Sequence, residues 1–437
     1  MARSGSATRP FWKMRVNPTV NKTVLSNGVR IVSMTMPHLH SVAMGVWVHV
    51  GARDETDAES GLSHFIEHMI FKGTARRTAF DIAREFDAIG GQTNAFTSME
   101  NTCYHARVLT SQVDTMVDIL SDIFINSVFD PKEVERERPV ILQEVGMVED
   151  SPEELVHTMM GTAFWGDHPL GRSILGSPEN ILGFDSRTLH RFFSHRYQPG
   201  RIVIAVAGNV EHEELVHMVG PVFETILPGD GLPMRRAPVS GNRISCRHRD
   251  LEQTHLCLGL DGIPVTDSRR YIASLLNIVL GGNMSSRLFQ TVREERGLAY
   301  SIYSFLTSYA DTGMLGVYTA VAHEHAQACI DLTLEQIRRL QREPIPHDAI
   351  KGAKEFVKGN LLMAEESPDN QMVRLAQNEL YFDRYLPMQT VIDGIDAVTP
   401  EAIMALASDL WSGRQPSLTV LGPHADQTDF AIQMTSL

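Results

Sequence analysis

Four cysteines in 437 residues are few: Cys103, Cys246, Cys257 and Cys329, with no Cys-x-x-Cys pair among them. Their spacing excludes a thiolate zinc knuckle and a dithiol redox site, and it fits idle thiols in a reducing compartment. No apolar run approaches the roughly 18 residues that a membrane helix requires. Basic residues are in deficit, 39 Lys and Arg against 53 Asp and Glu, for a net charge of −14. That balance argues against a nucleic-acid binder, which presents a basic surface, and favours basic ligands. There is no Gly-x-Ser-x-Gly nucleophile elbow, and Gly281-Gly282-Asn283 lacks the Gly-Lys-Ser/Thr of a phosphate loop. Acidic residues are missing until Asp54, whereas Arg3, Arg9, Lys13, Arg15, Lys22, Arg30 and Arg53 precede it. Without an apolar segment this leader is not a secretory signal, and a strand pattern starting near residue 22 leaves little room for a transit peptide. Residues 1–20 read as a short arm.

With 43% apolar and 21% charged residues, the chain can bury a sizeable core. Residues 22–35 read as two strands around Asn27-Gly28. Residues 41–51 alternate, with Val42, Met44, Val46, Val48 and Val50 on one face, and read as a half-buried strand. Helices are expected at 60–72, 78–89, 111–127 and 132–149 and onward to about 197, with strands at 92–98, 102–109 and 201–207 and a helix at 211–225. A Pro/Gly-rich stretch at 227–243 reads as a linker between a first domain (21–226) and a second (244–437). The second half repeats the order: a strand at 253–261, helices at 268–281 and 285–295, strands at 299–307 and 312–320, and helices at 323–342 and 346–366. Glu149-Asp150-Ser151-Pro152 echoes Glu365-Glu366-Ser367-Pro368, which suggests a duplication. Runs of strands followed by runs of helices predict an α+β fold of two homologous lobes, each a mainly antiparallel sheet packed with helices.

The chemistry concentrates in His64-Phe65-Ile66-Glu67-His68. Histidines four apart on a helix project from one face, so both imidazoles reach one metal ion, and imidazole suits Zn²⁺. Glu67, next to His68, can take a proton from a water that the metal acidifies. The H-x-x-E-H form is the inverted zinc-peptidase motif. A catalytic zinc site takes a third protein ligand, and the helix at 132–149 offers Glu133, Glu135, Glu137, Glu144 and Glu149. Spacing alone does not choose among them, although Glu137 and Glu144, seven apart, share a face.

These residues resemble the M16 family of zinc metallopeptidases, the inverzincins. The likeness is to its two-domain branch, which contains mitochondrial processing peptidase β subunits and their bacterial relatives. The family pattern places a Glu ligand about 76 residues after the motif, which falls on Glu144, and a site-assisting acid one heptad earlier, which falls on Glu137. Its Gly-Gly-x-x-Asn-Ala-x-Thr stretch appears as Gly90–Thr97, followed by Glu100, Thr102 and Tyr104. Residues 281–304 resemble its second lobe, with Arg293 and Tyr300 at the positions of its Arg…Tyr pair.

The resemblance implies one Zn²⁺ per chain held by His64, His68 and Glu144, with Glu67 as general base and Glu137 assisting. It also implies an edge strand at Asn94, Ala95, Phe96 and Thr97 that pairs with extended substrate, and Arg293 and Tyr300 as substrate contacts. The implied protein is a zinc endopeptidase of the bacterial cytoplasm, or of the mitochondrial matrix. It would act as a homodimer enclosing a chamber for peptides or unfolded segments, basic or presequence-like ones included, with no nucleic acid or membrane partner. Two alternatives are a processing-peptidase-like subunit that needs a related partner in a heterodimer, and a non-catalytic scaffold subunit. The intact His64, Glu67, His68 and Glu144 count against the scaffold.

Overall fold

A computed structural model of the chain describes residues 19–229, 231, 234–423, 425, 430 and 437. The expected arm at 1–20 lies almost wholly outside the described residues. Strands are β1 (Val20–Val24), β2 (Arg30–Thr35), β3 (Ser41–Val48), β4 (Gln92–Thr97), β5 (Thr102–Leu109), β6 (Ile202–Gly208), β7 (Ile244–His248), β8 (Thr254–Asp261), β9 (Ala299–Ser308), β10 (Gly313–Val321) and β11 (Ser417–Gly422). Helices of the first half are α1 (Leu62–Met69), α2 (Ala79–Ala88), α3 (Val113–Ile125), α4 (Pro131–Asp150), α5 (Pro152–Trp165), α6 (Pro178–Gly183), α7 (Ser186–Arg196) and α8 (His212–Phe223). Those of the second are α9 (Arg270–Asn277), α10 (Ala326–Arg342), α11 (His347–Ala364), α12 (Pro368–Phe382), α13 (Met388–Asp396) and α14 (Pro400–Trp411). None is long and apolar enough to cross a membrane.

Two sheets form, in the orders β1-β2-β6-β3-β5-β4 and β7-β11-β8-β10-β9. Each has a single parallel pair, β2 with β6 and β7 with β11; every other pairing is antiparallel. Leaving out β1, the two orders are the same, so the fold is α+β with two homologous lobes. Each sheet packs one face on its own lobe's helices, around Phe65, Phe124 and Phe223 in the first and Leu276, Ile337 and Trp411 in the second.

The opposite faces are covered by exchange. Helix α12, from the second half, lies on β2, β3 and β6, where Met372, Leu375 and Ala376 bury Val32, Ala43, Trp47 and Val203. Helix α5, from the first half, lies on β8 and β11, where Val156, Met160 and Phe164 bury Cys257 and Leu421 together with Tyr318 of the neighbouring β10. Both helices start at the echoed Ser-Pro: Ser151 and Ser367 cap them through their side chains, and proline takes the first turn. The contacts leave little room for a side chain beneath them. A Cβ on Gly45 would lie 2.6 Å from Met372 Sδ, and one on Gly259 would lie 2.7 Å from Met160 Sδ.

This exchange overturns the half-buried reading of 41–51. The strand ends at Val48 and is buried on both faces, because α12 covers the one that alternation assigns to solvent. The expected helix at 268–281 becomes π-helical at Ile278–Gly282, where Gly281 presses against Ser304, and the one at 285–295 is π-helical over Phe289–Glu295. The expected 323–342 helix begins as a 3₁₀ turn at His323–His325 and turns regular at Ala326.

Leu375→Ala should lower stability by about 2–5 kcal/mol, the usual cost of emptying a core leucine site, read from urea unfolding followed by Trp fluorescence. A change under half a kcal/mol would show that α12 does not seal the first sheet.

Candidate metal centre

Helix α1 starts from a constrained turn. Gly61 has φ 101°, a left-handed conformation that favours glycine, and a Cβ there would meet Leu175 O at 2.8 Å. The buried Glu55 carboxylate accepts the Gly61 amide at 2.8 Å and the Ser63 amide at 2.7 Å. Two first-turn donors that the helix cannot satisfy internally are thereby used. Burial pushes the Glu55 carboxyl up to about 8, against the pull of those amides and of Arg172. Helix α4, capped by Asp130 and opened by Pro131, runs past α1 and brings its carboxylates to the histidines.

The cluster is compact. His64 Nε2 and His68 Nε2 lie 3.3 and 3.5 Å from the same oxygen, Glu144 Oε2. Among the described residues, these three are the single group of His, Cys, Asp or Glu placed to hold a metal ion, with ligand atoms all within 4.8 Å of one another. The two nitrogen–oxygen separations exceed ordinary hydrogen-bond lengths. They equal the edge of a tetrahedron around a Zn²⁺ ion with ligands at roughly 2.0–2.2 Å, about 3.3–3.6 Å. The donor set therefore fits zinc. Burial, with His68 nearby, pushes the His64 imidazole down to about 4, so it is neutral at pH 7 and its nitrogen lone pair is free to ligate.

The two histidines are oriented unequally. His68 Nδ1 donates to Glu137 Oε1 at 2.9 Å, and Lys72 Nζ holds the other Glu137 oxygen at 2.6 Å. Burial alone would lower His68, but Glu137 and Glu144 outweigh it and hold the ring above its ordinary value. Glu137 is itself raised by burial, yet His68 and Lys72 keep it below the usual carboxylate range. By contrast, His64 Nδ1 is buried without a hydrogen-bond partner among the described residues. Glu67 presents a buried oxygen, Oε2, that also lacks one. Burial raises the Glu67 carboxyl, and the adjacent Thr97 opposes that rise.

The structure thus separates the five glutamates that spacing leaves open. Glu133 and Glu135 pair with Arg136 and Arg138 on their own helix, and Glu149 pairs with Arg247 and Arg249 of the second lobe. Only Glu137 and Glu144 reach the histidines.

Asn94, Ala95, Phe96 and Thr97 lie on β4, the outer strand of the first sheet, beside α1. Thr97 neighbours Glu67, and Phe96 lies edge-on to Trp47, 5.3 Å between ring centroids. Arg293 and Tyr300 lie together in the second lobe, the guanidinium 4.6 Å from the ring centroid, with Tyr300 80% exposed. Among the described residues no hydrogen bond or ion pair joins this pair to the histidine cluster. The sequence reading misses Glu55 and Lys72. Lys72 carries a signal, four residues after His68, whereas nothing in the spacing marks Glu55.

Comparison with known proteins agrees with this geometry. Residues 30–178 match the model of Insulinase (Peptidase family M16), and residues 184–357 match that of the Peptidase M16 inactive domain. An uncharacterized zinc protease of Streptomyces coelicolor is 37% identical over 420 residues, 94% of this chain and 91% of its own. A second, of Bacillus subtilis, is 39% identical over 394 residues, 90% and 96% of the two chains. The chain belongs to peptidase family M16. Among solved structures, a protease from Helicobacter pylori superposes with a TM-score of 0.86 at 19% identity, covering 93% of this chain and all of that one. This likeness concerns the fold.

Glu137→Ala removes the acceptor that orients His68. It should weaken zinc binding about 10–100-fold, measured by competition with a chromophoric chelator, while His64 and Glu144 still give measurable uptake. Unchanged affinity would show that Glu137 does not orient the ligand.

Proposed function

We propose that this chain is a zinc-dependent endopeptidase with His64, His68 and Glu144 as the metal ligands, one ion per chain, and Glu67 as general base. The observation that carries the reading is the shared approach of two imidazole nitrogens to one carboxylate oxygen at tetrahedral spacing. An ion there would supply Lewis-acid polarisation and make water acidic enough to lose a proton near neutral pH.

The protein's own residues would do the rest. Glu67 is placed to take that proton, since burial strengthens it as a base and Oε2 has no competing hydrogen bond among the described residues. The same carboxyl would return the proton to the leaving amine. Glu137 would act as a positioning residue, fixing the His68 ring through Nδ1. The outer strand β4, with Asn94, Ala95, Phe96 and Thr97, would pair with an extended peptide main chain, a mode that tolerates many sequences. Arg293 and Tyr300 would contact the substrate from the second lobe. The resemblance to the two-domain branch supports two copies enclosing a chamber, peptides or unfolded segments as substrates, and a bacterial cytoplasmic setting. The net charge of −14 favours basic substrates.

Glu67→Gln should retain one zinc per chain and lose peptidase activity on a mixed peptide library by at least about 10²-fold, the scale of a lost general base. Normal turnover in that variant would overturn the assignment of the base. Glu144→Ala should lose bound zinc, measured by elemental analysis after dialysis. Undiminished zinc content would mean that Glu144 is not the third ligand.

A further inference from the structure

The segment Asn283-Met284-Ser285-Ser286-Arg287 precedes the Phe289–Glu295 turn that carries Arg293, and the peptidase reading gives it no role. Asn283, Ser285, Ser286 and Arg287 line a half-open cavity of about 470 Å³ in the second lobe, within the size range of small-molecule sites. Gln290 and Thr291 of the turn close one side, and α10 and α11 close the others.

The wall carries two cations, Arg287 and Arg339, and two carboxylates, Glu343 and Asp348, but Arg287 is paired with neither carboxylate. Arg287 makes no hydrogen bond or ion pair among the described residues, and its Nη1 is buried. A guanidinium stays protonated in proteins, so it cannot relieve burial by losing its charge. Burial and the nearby Arg339 both act against it, with only partial compensation from Glu343. That Glu343 is already engaged by Arg339 Nε at 2.8 Å. Asp348, also on the wall, forms no ion pair among the described residues. Beside Arg287, Ser286 is 2% exposed, and its Oγ also lacks a partner. Asn283 satisfies the Ser285 and Ser286 amides, through Oδ1 and its carbonyl, so the turn is built and the hydroxyl is left over. Ile278, Val279, Pro346 and Ala349 supply apolar wall, suited to an organic body rather than a bare ion.

We propose that this cavity binds a small organic anion, with Arg287 and the Ser286 hydroxyl receiving its carboxylate or phosphate group. This site is separate from the metal centre, and its wall includes part of the turn that positions Arg293. Occupancy would therefore stiffen the turn that presents Arg293.

The test is calorimetric titration of the zinc-loaded full chain with inorganic phosphate, with acetyl-alanine and with acetyl-alanine amide. Saturable binding of phosphate or of acetyl-alanine is expected, at least about tenfold weaker in Arg287→Gln, with no binding of the amide. Phosphate alone binding would identify a phosphate ligand, and acetyl-alanine alone a carboxylate. Anion contact with the metal would persist in Arg287→Gln, so equal binding by that variant would overturn the proposal. So would the absence of saturable binding to wild type. Should Arg287→Gln fail to fold by circular dichroism, Ser286→Ala decides: weakening of at least about threefold supports the site, and unchanged binding overturns it.

Discussion

The fold depends on one constraint: each sheet is apolar on both faces, and neither half of the chain covers its own second face. The half-chains solve this by exchanging a helix. Helix α12 seals the first sheet and is fixed at both ends, by Arg107 to Asp369 and by Lys22 and Arg30 to Glu379. Helix α5 seals the second sheet, where Tyr303 OH links His157 and Glu153 of that helix to β9. Partly exposed ion pairs contribute little energy individually. Their effect here is to set the register of a helix whose burial supplies the stability. Neither lobe is therefore an independent unit, although the chain is a duplication.

The second point of union is polar. Glu100 sits 2% exposed where first lobe, linker and second lobe meet. Arg53 holds one of its oxygens at 2.7 Å, while the Ala310 amide and Tyr381 OH donate to the other. Arg53 also bonds Asp311 and the carbonyl of Arg236. Arg235 grips Asp54 with two bonds and donates to the Glu100 carbonyl. The Pro/Gly-rich stretch is thus fastened at Arg235 and Arg236. Charges buried this deeply persist only when every partner is present, so the network specifies how the lobes meet.

Local chemistry explains what the sequence reveals. The Asn27-Gly28 hairpin, the helix of the H-x-x-E-H motif and the long helix bearing five glutamates all carry their signals within a few residues. So does the duplication, because Ser151-Pro152 and Ser367-Pro368 are helix starts whose capping chemistry is local. What escapes is set by distance in the chain. Strand β3 looks half-buried because the helix on its other face arrives more than 300 residues later. Strand β7 has five residues on a sheet edge, too few for a pattern, and no elements are read from 367 onward, where β11 and α12 to α14 lie. At the metal centre, the motif shows the histidines and Glu67, but Glu144 rises above its four neighbours on α4 only through family resemblance. Glu55 is invisible, since its partners are backbone amides.

The same long-range logic governs the metal centre. A site of two imidazoles and a carboxylate works only if its ligands cannot drift, and α1 is too short to fix them alone. The structure restrains it from three directions. Glu55 and the Gly61 turn anchor its start, Glu137 and Lys72 lock the His68 ring, and α4 sets the position of Glu144. Beyond Glu144, α4 continues for six residues to Asp150, meets Arg247 and Arg249 through Glu149, and passes directly into the exchanged helix α5. Glu144 is thus carried on an element whose far end is held in the other lobe. Any motion of the second lobe relative to the first would be transmitted along α4 to the atom that faces both histidines, so the union of the lobes is also a condition for the geometry of the metal centre.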